Sequence, residues 1–425
     1  MSSNKLDEVF IIDCSHEAIN TAIFLANLGK QVYMLACADK IEETLLHYKF
    51  DTQMSLAWSL YVAKQKIMPV TYGDDEVERL KNDVAGKTIW LFLDNLSDDD
   101  LACFAQKQAN PHTHIILSGV KKLSKIHELS CKLKTQWVYY LPFVFIKEGM
   151  NFNAFYQPDL VMIGEKTPDS VMYSDVLLFL KNQAKICEIS DIKTIEFARS
   201  SIMAMLGTRL SLMNELARLA DSESVNIKAI ERIMGQDSRV GASYLSAGWG
   251  FGGKSLPNEL ALLKEKFEQN QVENHLLSSV LTINEDQKEL SFRKFWQYFD
   301  GNIENRTVAI WGAGYRIGAG VTTNSAIHPL LKLLWSYHIK TYVYLNNTNF
   351  ELEQLYNDNP LLSIADQPYE ILQNADALFI VNWSGLIPPD VNELNKVALP
   401  IFDAKNILTD SQVASFKGEY FGIGR

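Results

Sequence analysis

Cysteine is scarce in this chain: five of 425 residues (Cys14, Cys37, Cys103, Cys131 and Cys187), an odd number, with no two in a CxxC pair. That excludes a disulfide framework and a zinc ribbon and fits a reducing compartment. No apolar run approaches the roughly 18 residues that span a bilayer. The opening MSSNKLDEVF lacks the basic-then-apolar pattern of a secretion signal. Membrane insertion is therefore not expected, and the cytoplasm is the expected location. Positive charge is in deficit, 40 Lys plus Arg against 51 Asp plus Glu for a net charge of -11, which repels a phosphate backbone. Nucleic acid is not an expected partner. The histidines scatter, and the close pair His112 and His114 has no further ligands beside it, so no metal centre is expected. No internal repeat marks a solenoid or propeller.

What is present is ordinary globular composition, 47% hydrophobic and 21% charged, in a chain too long for one growing core. Val9–Ile12 reads as a strand, the amphipathic stretch to Gly29 as a helix and Gln31–Leu35 as a second strand, which is a βαβ opening. Strand-like runs at Thr88–Leu93, His114–Leu117 and Trp137–Leu141 extend a parallel sheet to about residue 180. The acidic run Asp98–Asp100 reads as a helix start, where carboxylates favour the N-terminal dipole. From Ile192 to about Leu219 no proline interrupts apolar residues at helical spacing, which predicts one long helix. A second α/β pattern starts with the strand Thr307–Trp311. The expected architecture is α/β, two Rossmann-like doubly wound parallel-sheet domains (1–190 and 301–425) joined by a central long-helix domain (191–300).

A dinucleotide site wants glycines in the first strand-to-helix turn, so that the pyrophosphate reaches the helix N-terminus, and an acid at the end of the second strand for the ribose. The first turn, Asp13-Cys-Ser-His-Glu-Ala18, has no glycine, and the second strand ends at Leu35-Ala36. Asp13 and Glu17 would set carboxylates against phosphates. Two unit charges about 4 Å apart repel by ~4 kcal/mol at an effective dielectric of about 20. The second α/β region places Gly312, Gly314, Gly318 and Gly320 directly after its strand, in GxGxxxG spacing. On motif grounds this is the better nucleotide loop, with a tight turn for packing as the equal alternative.

The stretch QDSRVGASYLSAGWGFGGKSLPNE (Gln236–Glu259) resembles the active-site segment of the nucleotide-sugar 6-dehydrogenases, the UDP-glucose and GDP-mannose dehydrogenase family. The family's pattern there runs D-x-R-I-G, a short spacer, then G-F-G-G-x-C-x-P-K-D. RLSLMNE (Arg209–Glu215), ADALFIVNW (Ala375–Trp383), DAKN (Asp403–Asn406) and YFGIGR (Tyr420–Arg425) match in order. The resemblance implies an N-terminal NAD domain, a central helical dimerisation domain and a C-terminal domain for the sugar nucleotide.

Residue by residue, the resemblance implies altered chemistry. Ser255 stands where the family has its nucleophilic cysteine, which carries a thiohemiacetal and then a thioester. The Lys-Asp pair after it reads Asn258-Glu259, and the Lys and Asn of the long helix become Arg199 and Met203. The carboxylate preceding the retained Glu148 is gone, the three turn glycines align with Asp13, Ser15 and Ala18, and the ribose acid aligns with Ala36. A serine hydroxyl needs an adjacent base to act as a nucleophile. The expected catalytic positions are thus Ser255, Glu148, Arg199, Asn258 and Glu259, all degenerate, with Asp13, Ser15, Ala18 and Ala36 as cofactor positions that do not bind, so that no cofactor is expected. Arg239, Phe251, Gly252, Gly253 and Arg316 are the substrate positions. The implied protein is a catalytically inactive homologue acting by binding or assembly in polysaccharide or glycoconjugate metabolism. A homodimer, or a heteromer with an active relative, and a UDP- or GDP-sugar ligand are the implied partners. The alternatives are a sugar-nucleotide sensor and an active NAD-dependent dehydrogenase working with Ser255.

Overall fold

The computed structural model describes residues 8–49, 51–70, 87–107, 111–144, 154–383 and 387–425. The chain divides into two compact units, residues 1–202 and 203–425.

In the first unit, β1 (Glu8–Ile12) leads through a short turn into α1 (His16–Asn27), and β2 (Gln31–Leu35) follows. Helices α2 (Ala38–His47) and α3 (Thr52–Ala63) precede β3 (Ile67–Val70) and β4 (Thr88–Phe92). Then come α4 (Asp98–Lys107), β5 (His114–Ser118), α5 (Lys125–Lys132), β6 (Val138–Tyr140), β7 (Leu160–Glu165), α6 (Asp175–Gln183) and β8 (Ile186–Asp191). Among the described residues these strands form one sheet in the order β3-β2-β1-β4-β5-β6-β7-β8. The order reverses direction between β1 and β4, the arrangement of a doubly wound fold whose ligand crevice opens at the carboxyl ends of those two strands. The strands read as continuous apolar runs because helices cover both faces. Ile12, Leu35, Leu91, Ile115, Leu117 and Val138 form one face of the core, and Ile192 and Ile195 from the start of α7 (Ile192–Glu223) pack on it.

The expected all-parallel sheet is corrected at one place, since β7 pairs antiparallel with β6, Tyr140 opposite Gly164. An antiparallel pair needs no crossover helix on a sheet face. Gly164 then lies where a Cβ would come 2.8 Å from the Ile192 Cα, so the strand and the start of α7 approach closely only because that side chain is missing.

The second unit holds the rest of α7, then α8 (Ile227–Gln236), α9 (Ser255–Gln269), α10 (His275–Gln287) and α11 (Leu290–Tyr298). Its sheet is built from β9 (Thr307–Trp311), β10 (Lys340–Tyr344), β11 (Leu362–Ala365), β12 (Ala377–Ile380), β13 (Ile401–Asp403) and β14 (Tyr420–Phe421). Among the described residues, four α-helices punctuate these strands: α12 (Ile327–Ser336), α13 (Glu351–Tyr356), α14 (Val391–Val397) and α15 (Asp410–Ser415). The order is β11-β10-β9-β12-β13-β14, all parallel, reversing between β9 and β12. Phe295, Phe379 and Phe402 pack on one face with Leu330 and Leu334, while Trp311, Leu378 and Leu408 fill the other. Two doubly wound sheets and one long helix are the architecture the sequence predicts.

Candidate functional site

In the first unit, the degenerate turn sits at the carboxyl end of β1. Asp13 is held at φ +143°, a conformation that side-chain-bearing residues adopt only at a cost. Its Oδ1 accepts a hydrogen bond from Asn95 Nδ2 (3.0 Å), beyond the end of β4, and its Oδ2 is buried without a hydrogen-bond partner. Ser15 is the N-cap of α1, and its Oγ accepts the Ala18 N–H at 3.3 Å. A side-chain oxygen therefore meets one of the donors that the helix start leaves open. Ala18 is fully buried, and Ala36 lies just past the end of β2. Burial and the neighbouring Asp13 carboxylate push the Cys14 thiol up to about 11, so this turn supplies no thiolate near neutral pH.

Two further expected positions belong to this unit. Arg199 is buried on α7 and donates to the Phe143 carbonyl at 3.2 Å. Glu148 lies outside the described residues.

In the second unit, the glycine-rich loop before α9 is fixed on every side. Asn284 accepts the Phe251 N–H (2.7 Å) and donates back to the Phe251 carbonyl (3.1 Å), and Asn214 accepts the Gly248 N–H (2.9 Å). The Gly253 N–H donates to the Thr323 carbonyl (2.8 Å), and Asn324 donates to the Gly253 carbonyl (3.0 Å). These bonds seat the loop on the segment after β9. Tyr315 lies against both glycines: a Cβ on Gly252 would stand 2.8 Å from the Tyr315 Cβ, and one on Gly253 2.7 Å from its ring. The glycines are there because an aromatic side chain occupies the space of their missing ones.

Ser255 opens α9 and is exposed, as is Asn258; Glu259, four residues after Ser255, is 2% exposed. A spacing of four puts Ser255 and Glu259 on the same side of the helix. Arg316, beside Tyr315, donates to the Ile317 carbonyl at 2.9 Å, and its guanidinium lies 5.6 Å from the Tyr315 ring centre. The structure thus gathers Phe251, Gly252, Gly253 and Ser255 with the segment carrying Tyr315 and Arg316. Arg239 is not held in that cluster: its side chain is 87% exposed and pairs with Asp237 at 2.7 Å. The retained Arg209 donates to the Val240 and Gly241 carbonyls (2.7 Å each), so it braces the chain that follows α8.

Two features of this unit escape sequence reasoning, the closure of Asn382 on the turn after β9 and a cavity beside it. At the reversal between β9 and β12, Asn382 is buried, donates Nδ2 to the Arg316 carbonyl (2.9 Å) and leaves Oδ1 buried without a partner. Gly312, at φ +80°, is required here, because a Cβ would fall 2.7 Å from that of Asn382. Nearby a cavity of about 390 Å³ is lined by Lys228, Lys405, Glu231, Trp383 and Ile317, among others. Burial lowers the Lys405 ammonium to about 8, and burial with the Arg425 charge lowers Lys228. Two ammonium groups and an indole suit an anionic ligand with an aromatic ring. The signal in the sequence is that Asn382 and Lys405 fall in segments matching the family in order.

Residues 193–286 match the UDP-glucose/GDP-mannose dehydrogenase family, central domain. A UDP-glucose 6-dehydrogenase of Pseudomonas aeruginosa is 29% identical over 289 residues, 66% of this chain and 64% of that protein, and one of Rickettsia bellii is 26% identical over 66% of this chain and 65% of that protein. The matched stretch therefore spans just under two thirds of these relatives. Among solved structures, a UDP-glucose dehydrogenase of Pyrobaculum islandicum superposes with a TM-score of 0.79 over 100% of this chain and 99% of that one, at 16% identity. A UDP-D-ManNAc dehydrogenase of Pyrococcus horikoshii gives 0.76 over 98% of this chain and 99% of that one, at 17% identity. These superpositions establish the fold.

The family match and the curated relatives correct one expectation, that the chain takes no cofactor. The relatives are dehydrogenases, whose reaction needs a hydride acceptor, NAD in the family resembled. The physical reason lies in the backbone. Anion binding at a helix start uses peptide N–H groups and the helix dipole; in the β1–α1 turn the Ser15 hydroxyl takes the Ala18 donor, and the dipole and the other peptide groups do not depend on glycine.

Proposed function

We propose that this chain, a homologue of the UDP-glucose/GDP-mannose dehydrogenases, binds a UDP- or GDP-sugar in its second unit and does not carry the sugar through a covalent two-step oxidation. One observation carries this reading: the residue opening α9, beside the anchored glycine loop, is Ser255. A thiohemiacetal and a thioester need sulfur, and an alkoxide at that position would need a base that a thiol does not. The chain acts by binding or assembly in the cytoplasm, in polysaccharide or glycoconjugate metabolism. The partner is a second copy or an active relative. Met205, Leu212 and Leu219 support that part, since they stand 61%, 46% and 59% exposed at seven-residue spacing along α7. An apolar stripe of this kind covers itself by association.

The test is incubation of the protein with NAD and either sugar nucleotide, following NADH absorbance and the sugar product. Binding of the sugar nucleotide with no uronic acid is expected, and a Lys405→Met variant should bind it roughly tenfold more weakly, the effect of losing one charged contact. Two hydride equivalents per sugar and a uronic acid product would sink the reading. A second reading rests on the buried Glu259 carboxylate one turn from Ser255: a single oxidation to the aldehyde. It predicts one hydride equivalent per sugar and an oxime when hydroxylamine is present.

A further inference from the structure

In the first unit, and with no role in the reading above, α5 carries a thiol and an imidazole four residues apart. Cys131 is exposed, and its Sγ lies 3.7 Å from His127 Nε2. Residues four apart on a helix face the same way, so the pair is a product of helix geometry and not of a loop conformation. The helix start is fixed as well: the buried Glu196 carboxylate accepts the Ile126 N–H (3.1 Å) and the His127 N–H (3.0 Å). At the other end Lys166 donates to the Leu133 carbonyl (2.7 Å) and the Thr135 carbonyl (3.0 Å), and its ammonium is within electrostatic reach of the Cys131 sulfur. The surrounding segment 121–134 holds five lysines and one acid in a chain whose net charge is -11. A thiol with a base at hydrogen-bond distance, a pinned cation and a basic surround is arranged for attack on an anionic electrophile.

We propose that Cys131 is a site of S-thiolation by an anionic low-mass disulfide such as oxidised glutathione. The Cys131 S–H proton passes to His127 Nε2 as the sulfur attacks one sulfur of the disulfide. The S–S bond of the reagent breaks, a mixed disulfide forms on Cys131, and the departing thiolate takes the proton back from the imidazolium. Cys131 is oxidised and the leaving half of the reagent is reduced, with no further oxidant. The other cysteines provide the contrast. Among the described residues, Cys37 and Cys103 are exposed and make no hydrogen bond to an imidazole, and burial pushes the Cys14 and Cys187 thiols up.

The whole protein is incubated with oxidised glutathione, digested without reductant, and the mixed disulfide at each cysteine is quantified over time by mass spectrometry. Cys131 should react roughly tenfold faster than Cys37 and Cys103, the scale on which thiolate fraction and local charge alter exchange rates. His127→Gln should bring Cys131 down to the rate of those two while leaving theirs unchanged. Lys166→Gln should slow reaction with oxidised glutathione more than with a neutral dipyridyl disulfide. The comparison within the wild-type protein does not depend on any variant folding. Equal rates at Cys131, Cys37 and Cys103, or an unchanged Cys131 rate in the His127 variant, would overturn the proposal.

Discussion

The two sheets reverse strand order at equivalent places, β1 to β4 and β9 to β12, yet the turns that fill the two crevices are built on opposite principles. After β9, Gly312 takes positive φ without a side chain and lets Asn382 close against the backbone. After β1, Asp13 takes positive φ with its side chain, ties one oxygen to Asn95 and leaves the other buried and unmet. One crevice is shaped by an absence, the other by a carboxylate held in a costly conformation. Topology alone therefore does not set the chemistry of such a crevice, because the same strand order accommodates both.

The largest test of that contrast is Gly312→Val. A β-branched side chain at φ +80° against the Asn382 backbone should destabilise the second unit by about 3 kcal/mol or more, visible as a lower urea midpoint. Survival at wild-type stability would show that the turn relaxes freely. A second test concerns the acid that ties α5 to α7. Burial raises Glu196 from the ordinary 4.5 to about 7 despite its bonds to peptide N–H groups. A folded-state value above the unfolded one gives a contribution that is complete below about pH 4.5 and is lost as pH rises through about 7. Stability should fall across that window with a slope of up to about 1.4 kcal/mol per pH unit, and Glu196→Gln should flatten it. An unchanged slope in that variant would assign the dependence to other groups.

The reverse substitution in the first crevice should act the other way. Asp13→Gly removes both the strained backbone and the buried unmet oxygen, and a gain of about 1 kcal/mol is expected in thermal or urea unfolding. A loss instead would mean that the bond to Asn95 outweighs the strain. The smallest effect is expected from Ser15→Ala, which removes the cap on Ala18 and should cost about 1 kcal/mol or less. If the two turns work as described, that variant should leave sugar-nucleotide binding by the second unit unaltered.

Much of the fold is legible in the amino-acid order alone. The apolar run Val9–Ile12 and the proline-free stretch from Ile192 form β1 and α7 because strands covered on both faces and long buried helices both leave strong local patterns. Ser255 is legible too, since a motif of fixed spacing shows a substitution at one position directly. The antiparallel β6–β7 pair is not, because direction depends on how a connection travels and not on the residues that pair. The expectation of no cofactor, drawn from the missing glycines, the Asp13 and Glu17 carboxylates and the missing ribose acid, fails for a different reason: peptide donors at a helix start do not depend on the side chains of the turn.

By itself the sequence determined the order of elements, the two doubly wound halves, the kinship and the absence of a thiol at Ser255. Each of these follows from local patterning or from spacing along one chain. Only the tertiary structure decided that Tyr315 fills the space beside Gly252 and Gly253, that Asn382 closes on Gly312, and that Glu196 holds the start of the helix bearing His127 and Cys131. Those contacts join residues tens of positions apart, and their sign turns on gaps of a few tenths of an ångström, which close packing sets and periodicity does not encode.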